Sequence, residues 1–421
     1  MTASRQWVII GSAQDRRVQG FQQALELAGC APATVVDYLS DWQAVLPALL
    51  TPDTYLRIES PGSQLPVVRQ LMLDGAQEAE ASGFSTYSTK QIQDAELERG
   101  EFIAPHQFYY GLKQRLLGLQ KLLDQYPIAG CLNHIPDILT FFDKQATHQR
   151  LAQQAISVPT ALYDIQNYAE LRERMQQAGL REVFIKTRFG SAASGIIALK
   201  TAGSKVLART TIEEAKGRFF NTRRLQQISN ESALAGLVDS LCQWGVHCEN
   251  WLPKARINNM NTDCRLIVVN GKPDFAVLRK SQTPITNLHL LNERANIEEL
   301  THTLPDETWP QVLNTARKLA ELFPQSFHFA PDIAVHQDLQ SHSVLEINAF
   351  GDFIQNIQHQ GMNSYRWELH QWMEHQQRRE RQSQQLHQPP QLHQPDKQTP
   401  QPLHQDAQQQ QANPATTSRQ Q

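Results

Sequence analysis

The sequence predicts an α/β fold, and three stretches predict it. Trp7-Val8-Ile9-Ile10-Gly11, the helically spaced Val18, Phe21, Ala24 and Leu25, and then Thr34-Val35-Val36 make a β-α-β opening. Residues 262–269 and 274–278 flank Asn270-Gly271, the signature of a type I′ hairpin turn. Residues 329–335 and 343–350 are two aliphatic runs joined by a polar connection, a second hairpin.

The elements follow in chain order. The opening unit lacks G-x-G-x-x-G, having only Gly11-Ser12. It therefore predicts a small Rossmann-like wall for a cleft rather than a dinucleotide site. Residues 55–60 read as a strand running into the Pro61-Gly62 turn. There Arg57, Glu59 and Ser60 fit either substrate contacts or a plain strand with a surface turn. Residues 78–100 are polar and helix-like, an exposed insertion. Phe108-Tyr109-Tyr110 leads a helix to Leu123, and residues 129–133 form a short strand. The first domain, residues 1–130, closes there. Residues 141–145 open a helix, 156–160 are an extended exit, and 169–178 form another helix ended by Gly179.

Residues 182–186 form a strand that ends in Lys186, and 196–199 form its partner. A lysine in a core-like strand needs an anionic partner. The Gly, Ser and Ala loop between the strands, Gly190 to Gly195 with Ser191, can lay backbone N–H groups over phosphate oxygens. It is not a Walker A loop, because no lysine follows its second glycine. Residues 207–221 are polar and yield no functional reading. Residues 232–243 form a helix, and 247–252 a strand cut off by Pro253. Arg265 and Arg279 lie on the two strands of the Asn270-Gly271 hairpin and can reach one cleft, where arginine suits phosphate or carboxylate. Residues 309–323 form an amphipathic helix that leads into the second hairpin, and residues 356–372 form a closing helix.

In that second hairpin Asp332 opens the first strand, and Glu346 and Asn348 lie two apart in the other. Side chains two apart share a face. Two carboxylates and an amide oxygen suit a hard divalent cation such as Mg²⁺, and they also fit an ordinary antiparallel pair with a polar outer face.

Composition narrows the function. The chain has 421 residues and a net charge of −3, so neither a basic field for nucleic acid nor an acidic field for a cationic partner is present. The five cysteines form no C-x-x-C pair and are odd in number, which predicts a reducing, cytoplasmic setting. No apolar run reaches the length of a membrane span, and the first residues do not read as a signal peptide. Residues 376–421 are rich in Gln, His and Pro with almost no aliphatic side chains, which predicts a disordered tail.

The order of these motifs resembles the ATP-grasp superfamily, over residues 142–353. The resemblance is nearest to its glutamate-adding carboxylate–amine ligases. Asp143-Lys144 with Ile156-Ser157-Val158-Pro159-Thr160 is similar to the family's D-K … G-I-P-V-P-T, with Ser157 near the usual glycine. The resemblance implies a fold in which residues 131–375 clasp ATP between two subdomains. It also implies cofactors ATP and Mg²⁺ (or Mn²⁺). Lys144 and Lys186 would contact the nucleotide, and Gly190, Ser191 and Gly195 would cover its phosphates. Glu249, Asn250, Trp251 and Leu252 would form the hinge at the adenine edge. Asp263 and Arg265 resemble the family's D-x-R, and Arg279 the arginine that stabilises transferred charge. Arg265 and Arg279 would be catalytic, and Asp332, Glu346 and Asn348 would be the metal ligands.

The sequence departs from the glutamate ligases near Asn287, where Ile285 replaces an arginine and Leu290-Leu291-Asn292 replaces a glycine pair. The N-terminal part, with Arg57 to Gly62, is instead similar to a bacterial group found with radical-enzyme biosynthetic clusters. The implied activity is ATP-dependent ligation of a carboxylate to an amine through an acyl phosphate. The substrate would be an amino acid, a peptide or a small metabolite. A kinase that phosphorylates a hydroxyl and a non-catalytic ATP-binding module are the alternatives.

Overall fold

A computed structural model describes residues 5–96, 98, 100–190, 195–286, 292–350, 354 and 356–386. The opening unit forms as the pattern requires. Strand β1 (Gln6–Ile10) leads to helix α1 (Arg16–Leu27), β2 (Thr34–Val36), the short α2 (Trp42–Val45) and β3 (Thr54–Ile58). Helices α3 (Leu65–Ala81), α4 (Thr89–Asp94) and α5 (Pro105–Gln125) precede β4 (Gly130–Cys131). The sheet is parallel, in the order β2-β1-β3-β4. Trp7 to Ile10 are all buried, because a parallel strand is covered on both faces and must be apolar throughout. Asp15 starts α1 by accepting the Arg17 backbone N–H at 2.8 Å.

The stretch read as an exposed insertion, residues 78–100, overlaps the last turn of a core helix and holds the short α4, and Ala79 and Ile92 within it are buried. α3 begins at Leu65 and buries Val67, Leu71, Met72, Gly75 and Ala79. It crosses α5 so closely that a Cβ on Gly75 would strike the Gln107 carbonyl, and one on Gly111 the Leu71 carbonyl. Two glycines are thus needed where two helix backbones touch.

Next come α6 (Ile135–Phe142) and α7 (Lys144–Gln153). Phe141 and Phe142 end α6 instead of opening a helix. Asp143 breaks the run because its carboxylate caps α7, accepting from the N–H groups of Gln145 and Ala146 at 3.1 Å.

Strand β5 (Ala161–Leu162), helix α8 (Tyr168–Gln177), β6 (Glu182–Thr187), β7 (Ile196–Ala202), β8 (Lys205–Ala215), β9 (Arg218–Ile228), α9 (Glu231–Cys242) and β10 (Val246–Asn250) follow. They make a sheet in the order β5-β10-β6-β7-β8-β9, antiparallel throughout. A third sheet holds β11 (Arg256–Ile257), β12 (Met260–Val269), β13 (Lys272–Ser281) and β14 (Glu293–Ala295). Helices α10 (Glu298–Thr301) and α11 (Thr308–Leu322) lead from it to β15 (His328–Val335) and β16 (His342–Asn348). Its order is β14-β13-β12-β15-β16, with β11 beside β12. β15 starts at His328, so Asp332 lies in mid-strand and not at its opening.

Helix α12 (Ser364–Leu386) closes the chain's described part. It starts later and ends later than its pattern suggests, running beyond residue 376 into the stretch read as tail. Gln, Arg and Glu between residues 376 and 386 are good helix formers even where no apolar face exists. One compact unit ends at Gln376 and a second begins at Gln377. Residues 387–421, the rest of that tail, lie outside the described residues.

The Gly111 contact yields a test. Gly111→Ala puts a methyl group into the Leu71 backbone and should destabilise the protein by about 2 kcal/mol or more. Gly118→Ala in the same helix meets nothing within 4 Å and should stabilise it by roughly 0.5 kcal/mol. Urea unfolding midpoints of the two variants should move in opposite directions.

Candidate active site

The two antiparallel sheets meet at a cleft that encloses about 760 Å³ outside the protein atoms, part of it open to solvent. One portion of its lining is apolar, with Pro159, Phe184, Ile196, Leu252, Ile285 and Leu345. The rest carries charge: Lys144, Lys186, Glu249, Lys254, Asp263, Arg279, Asp332 and Glu346.

Each charge is placed by strand register. Lys186 of β6 lies directly across from His247 of β10, two residue pairs from Glu249 and therefore on the same face. Its ammonium contacts Glu249 Oε1 at 2.5 Å, and His247 Nε2–H donates to Glu249 Oε2 at 3.1 Å. Burial alone would raise the Glu249 pKa, but Lys186 and His247 outweigh it and hold the carboxyl at about 2. Burial likewise lowers the Lys186 pKa, and the charges of Glu249 and Glu346 overcome it, so the ammonium is held above its ordinary value. Lys144, at the start of α7, donates to the Gly190 carbonyl and stays below its ordinary value because of burial.

The third sheet carries a chain of ion pairs. Asp263 faces Arg279 across β12 and β13, and Arg265 faces Asp332 across β12 and β15. Arg279 Nε donates to Asp263 Oδ1 at 2.6 Å, and its other end reaches Asp332 Oδ2 at 3.0 Å. Arg265 holds Asp332 with two bonds, at 2.6 and 2.8 Å. Lys254 Nζ donates to Asp263 Oδ2 at 3.0 Å and to the Thr286 hydroxyl at 2.6 Å. Asp263 and Asp332 are both held below the ordinary carboxylate range: burial opposes this, and the neighbouring cations prevail.

Glu346 lies directly opposite Asp332 across β15 and β16. Loss of water and the Asp332 charge raise its pKa. Two carboxylates face to face cannot both ionise without a cation between them. Asn348, two residues on, donates its amide N–H to the Ala330 carbonyl at 3.0 Å. Among the described residues no group of three or more His, Cys, Asp or Glu side chains is placed to hold a metal, so a metal here would rely on the Asn348 amide oxygen.

The residues singled out from sequence fall as follows. Lys144, Lys186, Gly190, Glu249, Asn250, Leu252, Asp263, Arg279, Asp332 and Glu346 line the one cleft. Arg265 and Asn348 line an adjoining cavity that shares Lys144, Gly190, Arg279 and Glu346. Trp251 does not line the cleft. Its ring packs on Phe184, 5.4 Å between centroids, under the Lys200 ammonium. Gly195 is set against Thr187 in a left-handed conformation, φ 70°, and does not line the cleft. Ser191 and Asn287 lie outside the described residues.

Arg57 is not a substrate contact. It is fully buried, paired with Glu59 at 2.7 Å and with Glu368 of α12, and it stacks 4.4 Å from the Phe21 ring. Burial opposes charge on Glu368 as well, but Arg57 and His328 hold its pKa at about 2. Ser60 and Gly62 do reach the adjoining cavity. Sequence reading missed Lys254 and Thr286. A lysine after a proline reads as surface, and the only local signal was the apolar Ala255 and Ile257 beside it.

Two facing antiparallel sheets that share a charged cleft, behind a parallel α/β unit, define the ATP-grasp fold, and the chain has it. D-alanine–D-alanine ligase from Bacillus anthracis, complexed with ATP, is similar over 90% of this chain and 100% of its own, at 12% identity and a TM-score of 0.50. The ligase PsnB, bound to the precursor peptide PsnA2 and AMPPNP, covers 89% and 99% at 14% identity with a TM-score of 0.48. The macrocyclase MdnC from Microcystis aeruginosa MRC, bound to its precursor peptide MdnA, covers 88% and 99% at 12% identity with a TM-score of 0.48. No protein-family profile and no curated protein sequence matches the chain. No helix among the described residues is long and apolar enough to cross a membrane.

The Glu249 pair predicts a pH dependence. A carboxyl whose folded pKa is depressed contributes stability above its unfolded pKa, and loses it as pH falls toward the folded value. Glu249→Gln should therefore be destabilised by on the order of 3 kcal/mol at pH 7. Its difference from the unmodified protein in urea unfolding should shrink as pH falls from about 4.5 toward 2.

Proposed function

We propose that the protein is an ATP-dependent carboxylate–amine ligase that works through an acyl phosphate on an amino acid, peptide or small metabolite. The observation that carries this reading is convergence. Lysines from α7 and β6, an arginine from β13 and a carboxylate pair from β15 and β16 line one cleft beside an apolar pocket. A purine would lie between Phe184, Ile196 and Leu345, and the triphosphate would run toward Lys144, Lys186 and Arg279.

The carboxylate pair fits a divalent cation. Asp332 and Glu346 offer only oxygen, Asn348 adds an amide, and burial and the Asp332 charge, which together raise the Glu346 pKa, are what a cation would offset. Asp332, Glu346 and Asn348 would hold Mg²⁺ or Mn²⁺ there, and the ion would neutralise phosphate charge.

The first step is attack by the substrate carboxylate oxygen on the γ-phosphorus. A new P–O bond forms, the bond to the β-phosphate oxygen breaks, and ADP leaves. Lys186 and Arg279 are held by Glu249, Asp263 and Asp332, so their charge meets the spreading negative charge without reorganising. Asp263 acts through Arg279 and Lys254, as a positioning residue. In the second step the amine nitrogen attacks the acyl carbon. The C–N bond forms, the C–O bond to phosphate breaks, and inorganic phosphate departs with the electron pair and the nitrogen's proton.

The test is ADP release with Mg-ATP against a panel of amino acids and short peptides, with mass spectrometry of the product. Turnover should require both a carboxylate and an amine and yield an amide. Glu346→Ala should lower the rate by at least about a thousandfold while the unfolding midpoint changes little. A product phosphorylated on a hydroxyl, formed without an amine, would make the protein a kinase. Normal turnover by Glu346→Ala would remove the metal assignment.

A further inference from the structure

The charged end of the cleft opens into a second cavity that encloses about 1470 Å³ outside the protein atoms, part of it open to solvent. Lys144, Gly190, Arg279 and Glu346 belong to both spaces. Much of the rest of the second cavity is apolar, including Phe108, Phe141, Phe142, Val158, Phe350 and Ile354. The N-terminal sheet supplies the remaining wall through Arg17 at the start of α1 and Ser60 and Gly62 after β3. These loops leave the carboxyl ends of parallel strands, where open α/β sheets bind ligands.

Arg17 is the lining cation that the nucleotide reading leaves unused. Lys144 and Arg279 face the triphosphate, and Arg265 is held on Asp332. Asp15 is a weak partner for Arg17. Its Oδ2 lies 3.7 Å from the guanidinium, and its Oδ1 accepts the Arg17 backbone N–H at 2.8 Å. The Arg17 side chain is 28% exposed, so its guanidinium faces the cavity with only this distant ionic partner. A guanidinium so placed, in a cavity that also has Ser60 and an aromatic wall, suits a carboxylate attached to an apolar body.

We infer that this cavity takes the amine substrate, and that the amine belongs to an apolar amino acid or short apolar peptide whose free carboxylate rests on Arg17. The amine then lies toward Arg279 and Glu346, and the side chains lie against the phenylalanines. The inference rests on the ligase reading.

The experiment is calorimetric titration of the full chain, first with Mg-AMPPNP and then with L-phenylalanine, L-leucyl-L-phenylalanine and the C-terminal amide of each. The free carboxylates should bind at least tenfold more tightly than the amides. Arg17→Met should erase that preference and Arg17→Lys should keep part of it, with Mg-AMPPNP affinity unchanged in both, which also shows that the variants are folded. Equal binding of acids and amides, no binding of either, or a preference that survives Arg17→Met overturns this inference and leaves the nucleotide reading standing. Failure of the unmodified protein to bind Mg-AMPPNP overturns both.

Discussion

Buried charge has to be paired, and this requirement shapes the centre of the molecule. Asp263, Arg279, Asp332 and Lys254 are each less than a tenth exposed. An isolated ion in such a place costs several kcal/mol, and removing one partner strands the other. The third sheet meets the requirement by alternating sign along a path, Lys254 to Asp263 to Arg279 to Asp332 to Arg265. That path ends at Glu346, where Arg265 is only a distant partner at 3.7 Å. Glu346 is therefore the carboxylate of this path with the weakest ionic partner, and it is also the most exposed of them, with its side chain 31% accessible against 2% to 3% for Asp263 and Asp332.

The same path explains why D-x-R is a motif. Strand side chains alternate faces with period two, so Asp263 and Arg265 share a face only because one residue separates them. Antiparallel pairing then sets each opposite the ion it needs, Asp263 against Arg279 and Arg265 against Asp332. A slip of one residue would turn all of these ions to the other face. The hairpin is closed by Asn270-Gly271, whose φ values of 49° and 79° are those a type I′ turn demands, and a bulge between Ile267 and Val268 shifts the register before it reaches Asp263 and Arg279. Beyond Asp332 the pairing with β16 shifts by a bulge, so alignment holds through Asp332 and Glu346 and is given up only past them.

What the sequence made legible follows from how local each signal was. The Asn-Gly hairpin, the Lys186 strand, the Asp332 and Glu346 pair and the α1 helix each declare themselves within a single hairpin, strand or helix, and the structure has them. β8 and β9 did not. Their turn is Lys216-Gly217, with φ values of 53° and 72°, and a lysine in a left-handed conformation is not a recognisable turn signal. β8 does alternate buried and exposed positions over Lys205 to Thr210, a period the surrounding polar residues obscured. Lys254 was invisible for a different reason. Its partner Asp263 lies on β12, and the apolar Ala255 and Ile257 beside Lys254 are too weak a local signal that it will be buried.

Arg57 shows where the polar-residue rule misleads. Beside a Pro-Gly turn it resembles a ligand contact, and its charge would seem wasted in a core. Yet β3 is flanked by β1 and β4 in a parallel sheet, so its side chains have no free face to reach. The charge is used to tie two distant parts of the chain, Glu59 beside the strand and Glu368 on α12. His328, at the start of β15, sits 3.0 Å from the same Glu368. The strand that carries Asp332 into the cleft is thus anchored through its first residue to the network that closes the N-terminal sheet. Polar side chains in this protein therefore sort by where their ion pairs lie: Arg57 and Asp263 are paired in the interior and hold the frame, whereas Glu346 and Arg17 have only distant ionic partners, at 3.7 Å, and line the open cavity.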